Sequence, residues 1–120
     1  MNLKYLHMDI PVSKLKMNQG IFGEFSYFPI PYIHINSQLN GIEETSTVLH
    51  EVLELISEVN GLRLSETQIR VLETSLVSVF LQNQWLADRL RSLSQTQHNR
   101  ITDFRDWPPS QALPDSPEAL

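Results

Sequence analysis

Glu43-Glu44-Thr45-Ser46-Thr47-Val48-Leu49-His50-Glu51-Val52-Leu53-Glu54-Leu55-Ile56-Ser57-Glu58-Val59-Asn60 is the stretch on which the fold turns. Val48, Leu49, Val52, Leu53, Leu55, Ile56 and Val59 recur at helical spacing and make one wide apolar face. Glu43 and Glu44 stand in the first turn, where the helix dipole favours negative charge. Asn60-Gly61 reads as a C-cap, because glycine enters the left-handed conformation without steric cost. The spacing predicts a helix over 43–60.

A second helix is predicted from Ser65 to about residue 94. Ser65-Glu66-Thr67-Gln68 has the capping-box pattern, in which the serine hydroxyl and the glutamine side chain satisfy backbone donors reciprocally. Ile69, Leu72, Leu76, Val79, Phe80, Leu86, Leu90 and Leu93 carry its apolar stripe. Gln82 to Gln84 is a polar patch where the helix can kink or end. Only Leu62-Arg63-Leu64 separates the two helices, and so short a connection makes them antiparallel neighbours.

Upstream, residues 21–36 are rich in aromatic and β-branched side chains, which suits two short strands near 21–27 and 31–36. Pro29 and Pro31 lack the N–H that a ladder needs and belong at a turn or an edge. In the second strand Tyr32, His34 and Asn36 point one way, and Ile33 and Ile35 the other. Residues 1–20 read as mixed, punctuated by Pro11 and Asn18-Gln19-Gly20. From Gln95 the apolar pattern fails, and the end holds four of the seven prolines. The expected class is α+β: a small antiparallel β-hairpin or sheet, two long antiparallel helices, and a disordered C-terminal tail. The domain is expected over 1–94 and a flexible proline-rich extension over 95–120.

Composition narrows the function. The chain has 120 residues, no cysteine and a formal charge of −5. A thiolate zinc finger, a disulfide scaffold and a cysteine nucleophile are excluded. The acid excess argues against nucleic acid as the main partner, since phosphate binding feeds on clustered Lys and Arg. No apolar run suits a membrane span or a signal peptide, so a soluble cytoplasmic protein is expected.

His50, Glu51 and Glu54 carry the candidate chemistry. Residues four apart on a helix stack on one side, so His50 and Glu54 can address one ion. Glu51 stands between them, turned by about 100°. This is the layout of the zinc-peptidase helix His-Glu-x-x-His with Glu in place of the second His. In that motif the outer residues hold the metal, and the inner Glu moves a proton from the attacking water to the leaving group. A carboxylate can replace imidazole on zinc. The replacement lowers the positive charge of the site and makes an activated water a weaker acid. Glu73, bordering the apolar stripe of the second helix, can face the first. Glu66 sits at an exposed first turn, and Asp88 lies about four turns further on.

Ile33-His34-Ile35-Asn36, Val48-Leu49-His50-Glu51-Val52-Leu53-Glu54 and Ile69-Arg70-Val71-Leu72-Glu73-Thr74-Ser75-Leu76 together resemble small phage-type zincin-like proteins. The resemblance spans Tyr32 to about Leu81. The placing of Glu73 is also similar to that of the third ligand in gluzincins. The resemblance implies a minimal zincin-like fold and a zinc site with His50, Glu54 and Glu73 as ligands. It also implies Glu51 as general base in a metallopeptidase acting on a peptide or protein. The departure from the pattern is Glu54.

Other readings compete with these. Glu51 and Glu54 can be solubility residues on a solvated polar face. His34 can be a hydrogen-bonded structural histidine, or part of an edge strand that pairs with substrate. A function of a different class is a non-catalytic interaction module, an inactive zincin relative or helical adaptor acting through its helix pair or tail. Apolar surface around Phe80, Leu86 and Leu90 would then suit a homodimer.

Overall fold

The structure, a computed structural model, describes residues 1–97, with side chains to Leu93. The proline-rich tail expected after residue 95 lies almost wholly outside the described residues. The fold is α+β, and among the described residues it is a four-stranded sheet followed by three helices. Met1–Gln82 forms one compact unit, and a second begins at Asn83.

In the first unit, β1 (Asn2–Tyr5) and β2 (Met8–Leu15) form an antiparallel hairpin. A second antiparallel pair joins β3 (Gly23–Ser26) to β4 (Tyr32–Asn36). The two pairs meet through a parallel contact of β2 with β4, giving the order β1-β2-β4-β3. The expected small antiparallel hairpin is thus half of a mixed sheet. Residues 1–20, which read as mixed, supply its other half. Alternation is present there, with Ile10 and Val12 turned inward and Asp9, Pro11 and Ser13 outward, but it is short. Pro11 also argues locally against a strand. Pairing with the well-patterned β4 decides the matter, because strand stability depends on the neighbours a strand acquires.

The core holds Ile10, Ile33, Ile35, Leu39 and Leu55. Ile33 and Ile35 face it from β4, as the alternation predicts. Burying side chains of this size contributes roughly 1.5–3 kcal/mol each. Against this face lies α1 (Gly41–Asn60), ended by Gly61 at φ 64° and ψ 30°. The Leu62 N–H then bonds the Ser57 carbonyl at 2.9 Å, and the Leu64 N–H bonds the Ser57 hydroxyl at 2.9 Å. These bonds tie down the connection to α2 (Glu66–Gln82).

The capping box forms as the sequence predicts. The Gln68 N–H donates to Ser65 Oγ at 3.1 Å, and the Ser65 N–H donates to Gln68 Oε1 at 2.8 Å. Ser65→Ala is therefore expected to lower unfolding free energy by about 1 kcal/mol, read from the midpoint of a urea transition. An unchanged midpoint would show that the connection, not the cap, holds the start of α2.

The predicted second helix is two helices. α2 ends at Gln82, within the polar patch, and α3 (Gln84–Gln97) begins after Asn83. The Asn83 carbonyl accepts the Leu86 N–H, and its side-chain oxygen accepts the Trp85 indole N–H. The bond from the Leu86 N–H closes the first turn of α3 on Asn83. No helix among the described residues is long and apolar enough to cross a membrane.

Candidate metal centre

Two stripes of α1, one residue out of phase, build the site. Thr47, Glu51 and Leu55 lie on a buried line turned toward the sheet. Ser46, His50 and Glu54 lie on the neighbouring line turned toward α2. There Ser46 and His50 meet Glu73, while His50 also meets Glu66, nearer the start of α2. The helices thus run antiparallel, and the polar face of α1 is covered rather than solvated.

His50 is the centre of a carboxylate shell. Its Nδ1 lies 2.7 Å from Glu73 Oε1. Its Nε2 lies 2.9 Å from Glu54 Oε1 and 3.1 Å from Glu66 Oε1. The other oxygen of Glu73 accepts a hydrogen bond from the Ser46 hydroxyl. With carboxylates at both ring nitrogens, the imidazole is stabilised as a cation. Burial works against that charge, but Glu73, Glu54 and Glu66 outweigh it and raise the His50 pKa. Burial raises Glu54, and the attraction of His50 offsets only part of the effect.

Glu51 differs from these acids. It is 5% exposed, and its carboxylate hydrogen-bonds to no other described residue. Burial, aided by repulsion from Glu54, pushes its pKa up to about 7. One ligand atom from each of His50, Glu51 and Glu54 lies within 4.8 Å of the other two. Among the described residues this is the one cluster that meets the spacing a metal ion needs. The Glu51 carboxylate is not sealed off: among the described residues no fully buried side-chain oxygen or nitrogen lacks a hydrogen-bond partner, and Glu51 lines the cleft.

No protein family, curated protein or solved structure matches this chain.

The cleft above Glu51 has a volume of about 830 Å³ and runs between β3 and the two helices. Ile21, Phe22, Glu24 and Phe25 form one wall, Glu66, Arg70 and Thr74 the other. Arg70 is the one Lys or Arg among the lining residues. His34 is held outside the cluster. Its Nδ1 lies 3.1 Å from Glu24 Oε1, and its ring stacks on Tyr32 with centroids 4.1 Å apart, the hydrogen-bonded structural arrangement. Asp88 belongs to α3, in the other unit.

Gly23 is a site residue that sequence reading passed over. A Cβ there would stand 2.9 Å from Thr47 Cγ2, 3.0 Å from the His34 carbonyl oxygen and 3.3 Å from Glu51 Cγ. Only glycine lets α1 approach β3 so closely, and that approach sets Glu51 beneath the strand. Gly→Ala in a strand interior ordinarily stabilises by about 0.5–1 kcal/mol. Here Gly23→Ala is expected to destabilise by about 1–3 kcal/mol, because a backbone oxygen is among the atoms it meets. Adding Thr47→Ser, which removes the nearest methyl, should restore part of the loss. A melting temperature that rises in the single variant would contradict the close packing. Ser46 was also passed over, although its place four residues before His50 puts it on the same helical line.

Proposed function

We propose that this protein binds a divalent metal ion, zinc being the leading candidate, between His50 and its surrounding carboxylates, and uses the site to hydrolyse peptide bonds. The observation that carries the reading is the donor cluster itself, one ligand atom from each of His50, Glu51 and Glu54 within 4.8 Å of the others, lining a cleft. One imidazole and several carboxylates form a donor set that suits zinc and related first-row divalent ions. An ion held there would supply Lewis acidity to polarise a carbonyl and acidify a water.

The chain's own residues account for the rest. Glu51, open to the cleft beside His50, is placed to take a proton from the attacking water on its carboxylate and give it to the departing amine. β3 offers a place for the substrate backbone. The Phe22 carbonyl accepts the Asn36 N–H, so alternation turns the main-chain groups of Gly23 and Phe25 away from β4. Among the described residues no strand lies on that side of β3. An extended peptide can pair there by strand addition, above Glu51.

Dialysis against zinc followed by elemental analysis tests the reading. Close to one equivalent of retained ion is expected, with a melting temperature that falls in chelator. A metal-free protein whose melting is indifferent to chelator would end the proposal.

A further inference from the structure

The four acids around His50 are not equivalent, and their differences divide them into two roles. Glu73 meets Nδ1, and both its oxygens are engaged, one by His50 and the other by Ser46. Glu54 and Glu66 meet Nε2, at 2.9 and 3.1 Å. Both do so through Oε1, so the two carboxylates are turned toward the same ring edge. One N–H serves one acceptor well. Arg70 Nε lies 3.6 Å from the same Glu66 oxygen, yet a divalent cation at Nε2 would still find two carboxylates already turned to it. Glu51 completes the cluster with His50 and Glu54 and opens to the cleft.

The positions of these acids are locally determined. The Ser65–Gln68 capping box sets the start of α2, and Glu66 is its first residue. The Gly61 turn and the Leu64–Ser57 bond hold the connection that delivers it. Glu73 lies two turns further along α2 and meets the other edge of the imidazole.

We infer that, within the His50–Glu51–Glu54 cluster, an ion sits at His50 Nε2 on Glu54, with Glu66 at the same nitrogen as a further metal-facing group and Glu51 left beside it as the base, and that Glu73 is a positioning residue acting on His50 Nδ1, itself steadied by Ser46. This rests on the metal-binding reading above and departs from the resemblance, which makes Glu73 the third ligand. A histidine ligand characteristically donates its other ring N–H to a carboxylate, which fixes its tautomer and orientation. The bond from His50 to Glu73 has that form.

Zinc affinity, measured by competition with a chromophoric chelator, separates the two roles. It is read for the wild type, Glu66→Gln, Glu73→Gln and Glu73→Ala. Nitrogen-15 spectra of the zinc-loaded protein report which ring nitrogen of His50 is metallated, the signal being identified by its absence in His50→Ala. Glu66→Gln is expected to weaken zinc binding beyond the ~10–100-fold typical of an outer partner. Glu73→Ala should stay within that ~10–100-fold range. Glu73→Gln, which keeps an acceptor for the Nδ1 proton, should lose less than Glu73→Ala. The spectra should show a metallated Nε2 and a protonated Nδ1. A metallated Nδ1, or wild-type affinity in Glu66→Gln together with lost binding in both Glu73 variants, overturns this assignment while leaving the metal site standing. A wild-type protein that takes up no zinc overturns both.

Discussion

His50→Ala is expected to abolish stoichiometric metal uptake and to leave a protein whose stability no longer responds to zinc or to chelator. Three distances converge on this one side chain, 2.7 Å to Glu73, 2.9 Å to Glu54 and 3.1 Å to Glu66. Removing it deletes the nitrogen donor of the cluster and the cation that Glu54, Glu66 and Glu73 share. The loss of affinity should exceed the ~10–100-fold that an outer partner costs. The two contributions can be separated. In the wild type, ligand at ~1,000 times its dissociation constant stabilises by about 4 kcal/mol, a gain that chelator removes. In the variant that increment vanishes, while loss of the ion pairs lowers stability with or without metal. Scanning calorimetry of both proteins, with zinc and with chelator, reads each part. If the two proteins gain equally from zinc, the ion is bound elsewhere.

Glu51→Gln is expected to retain the metal and to lose hydrolysis by about 10²–10⁴-fold, the usual contribution of a positioned acid–base group. Glutamine keeps the shape of the side chain in its tight place beside Gly23 but can neither take nor return a proton. Peptide cleavage by the zinc-loaded protein, followed by mass spectrometry on a mixed peptide library, reads the loss. Zinc affinity should stay within ~10-fold of the wild type, well inside the cost of losing even an outer partner. Abolished uptake would make Glu51 a ligand and leave the reaction without its base.

The same substitution should make the metal-free protein more stable at pH 8. Glu51 has a folded-state pKa of about 7, above its ordinary 4.5. The folded chain therefore holds this proton more tightly than the unfolded chain does. That contribution is fully present below pH 4.5 and is lost as the pH rises through about 7. Glutamine does not titrate, so Glu51→Gln escapes the loss. Water in the open cleft screens the charge, so the gain at pH 8 should be about 1–2 kcal/mol. Urea unfolding at pH 5 and pH 8, in chelator, checks the sign. A variant that is less stable than the wild type at pH 8 would show Glu51 to be held by a favourable partner.

The candidate site was partly legible from spacing alone. His50 and Glu54 share a helical line because they are four residues apart, and Glu73 borders the apolar stripe that turns α2 toward α1. Glu66 was harder to place. A first-turn glutamate ordinarily faces solvent, and 56% of its side chain is exposed even here, yet Glu66 Oε1 still reaches His50. The role of Gly23 was invisible, since it depends on how near α1 comes to a strand that precedes it by a loop and another strand.

Local interactions explain what the sequence determined by itself. Helix periodicity, the Gly61 cap, the Ser65–Gln68 box, the break at Asn83 and the alternation of β4 all involve partners within a few residues. Their chemistry is complete in a short window of chain. Tertiary structure decided the rest: the pairing of residues 1–20 into the sheet, the burial of Glu51 and the division of the acids around His50. Those outcomes depend on contacts between residues far apart in the chain, such as Ser13 with His34 and Ser46 with Glu73. No local preference encodes which acid meets which nitrogen of an imidazole. Packing α1 against both the sheet and α2 settles it, because one residue's rotation along the helix carries a carboxylate from the line facing Glu73 to the line beneath β3.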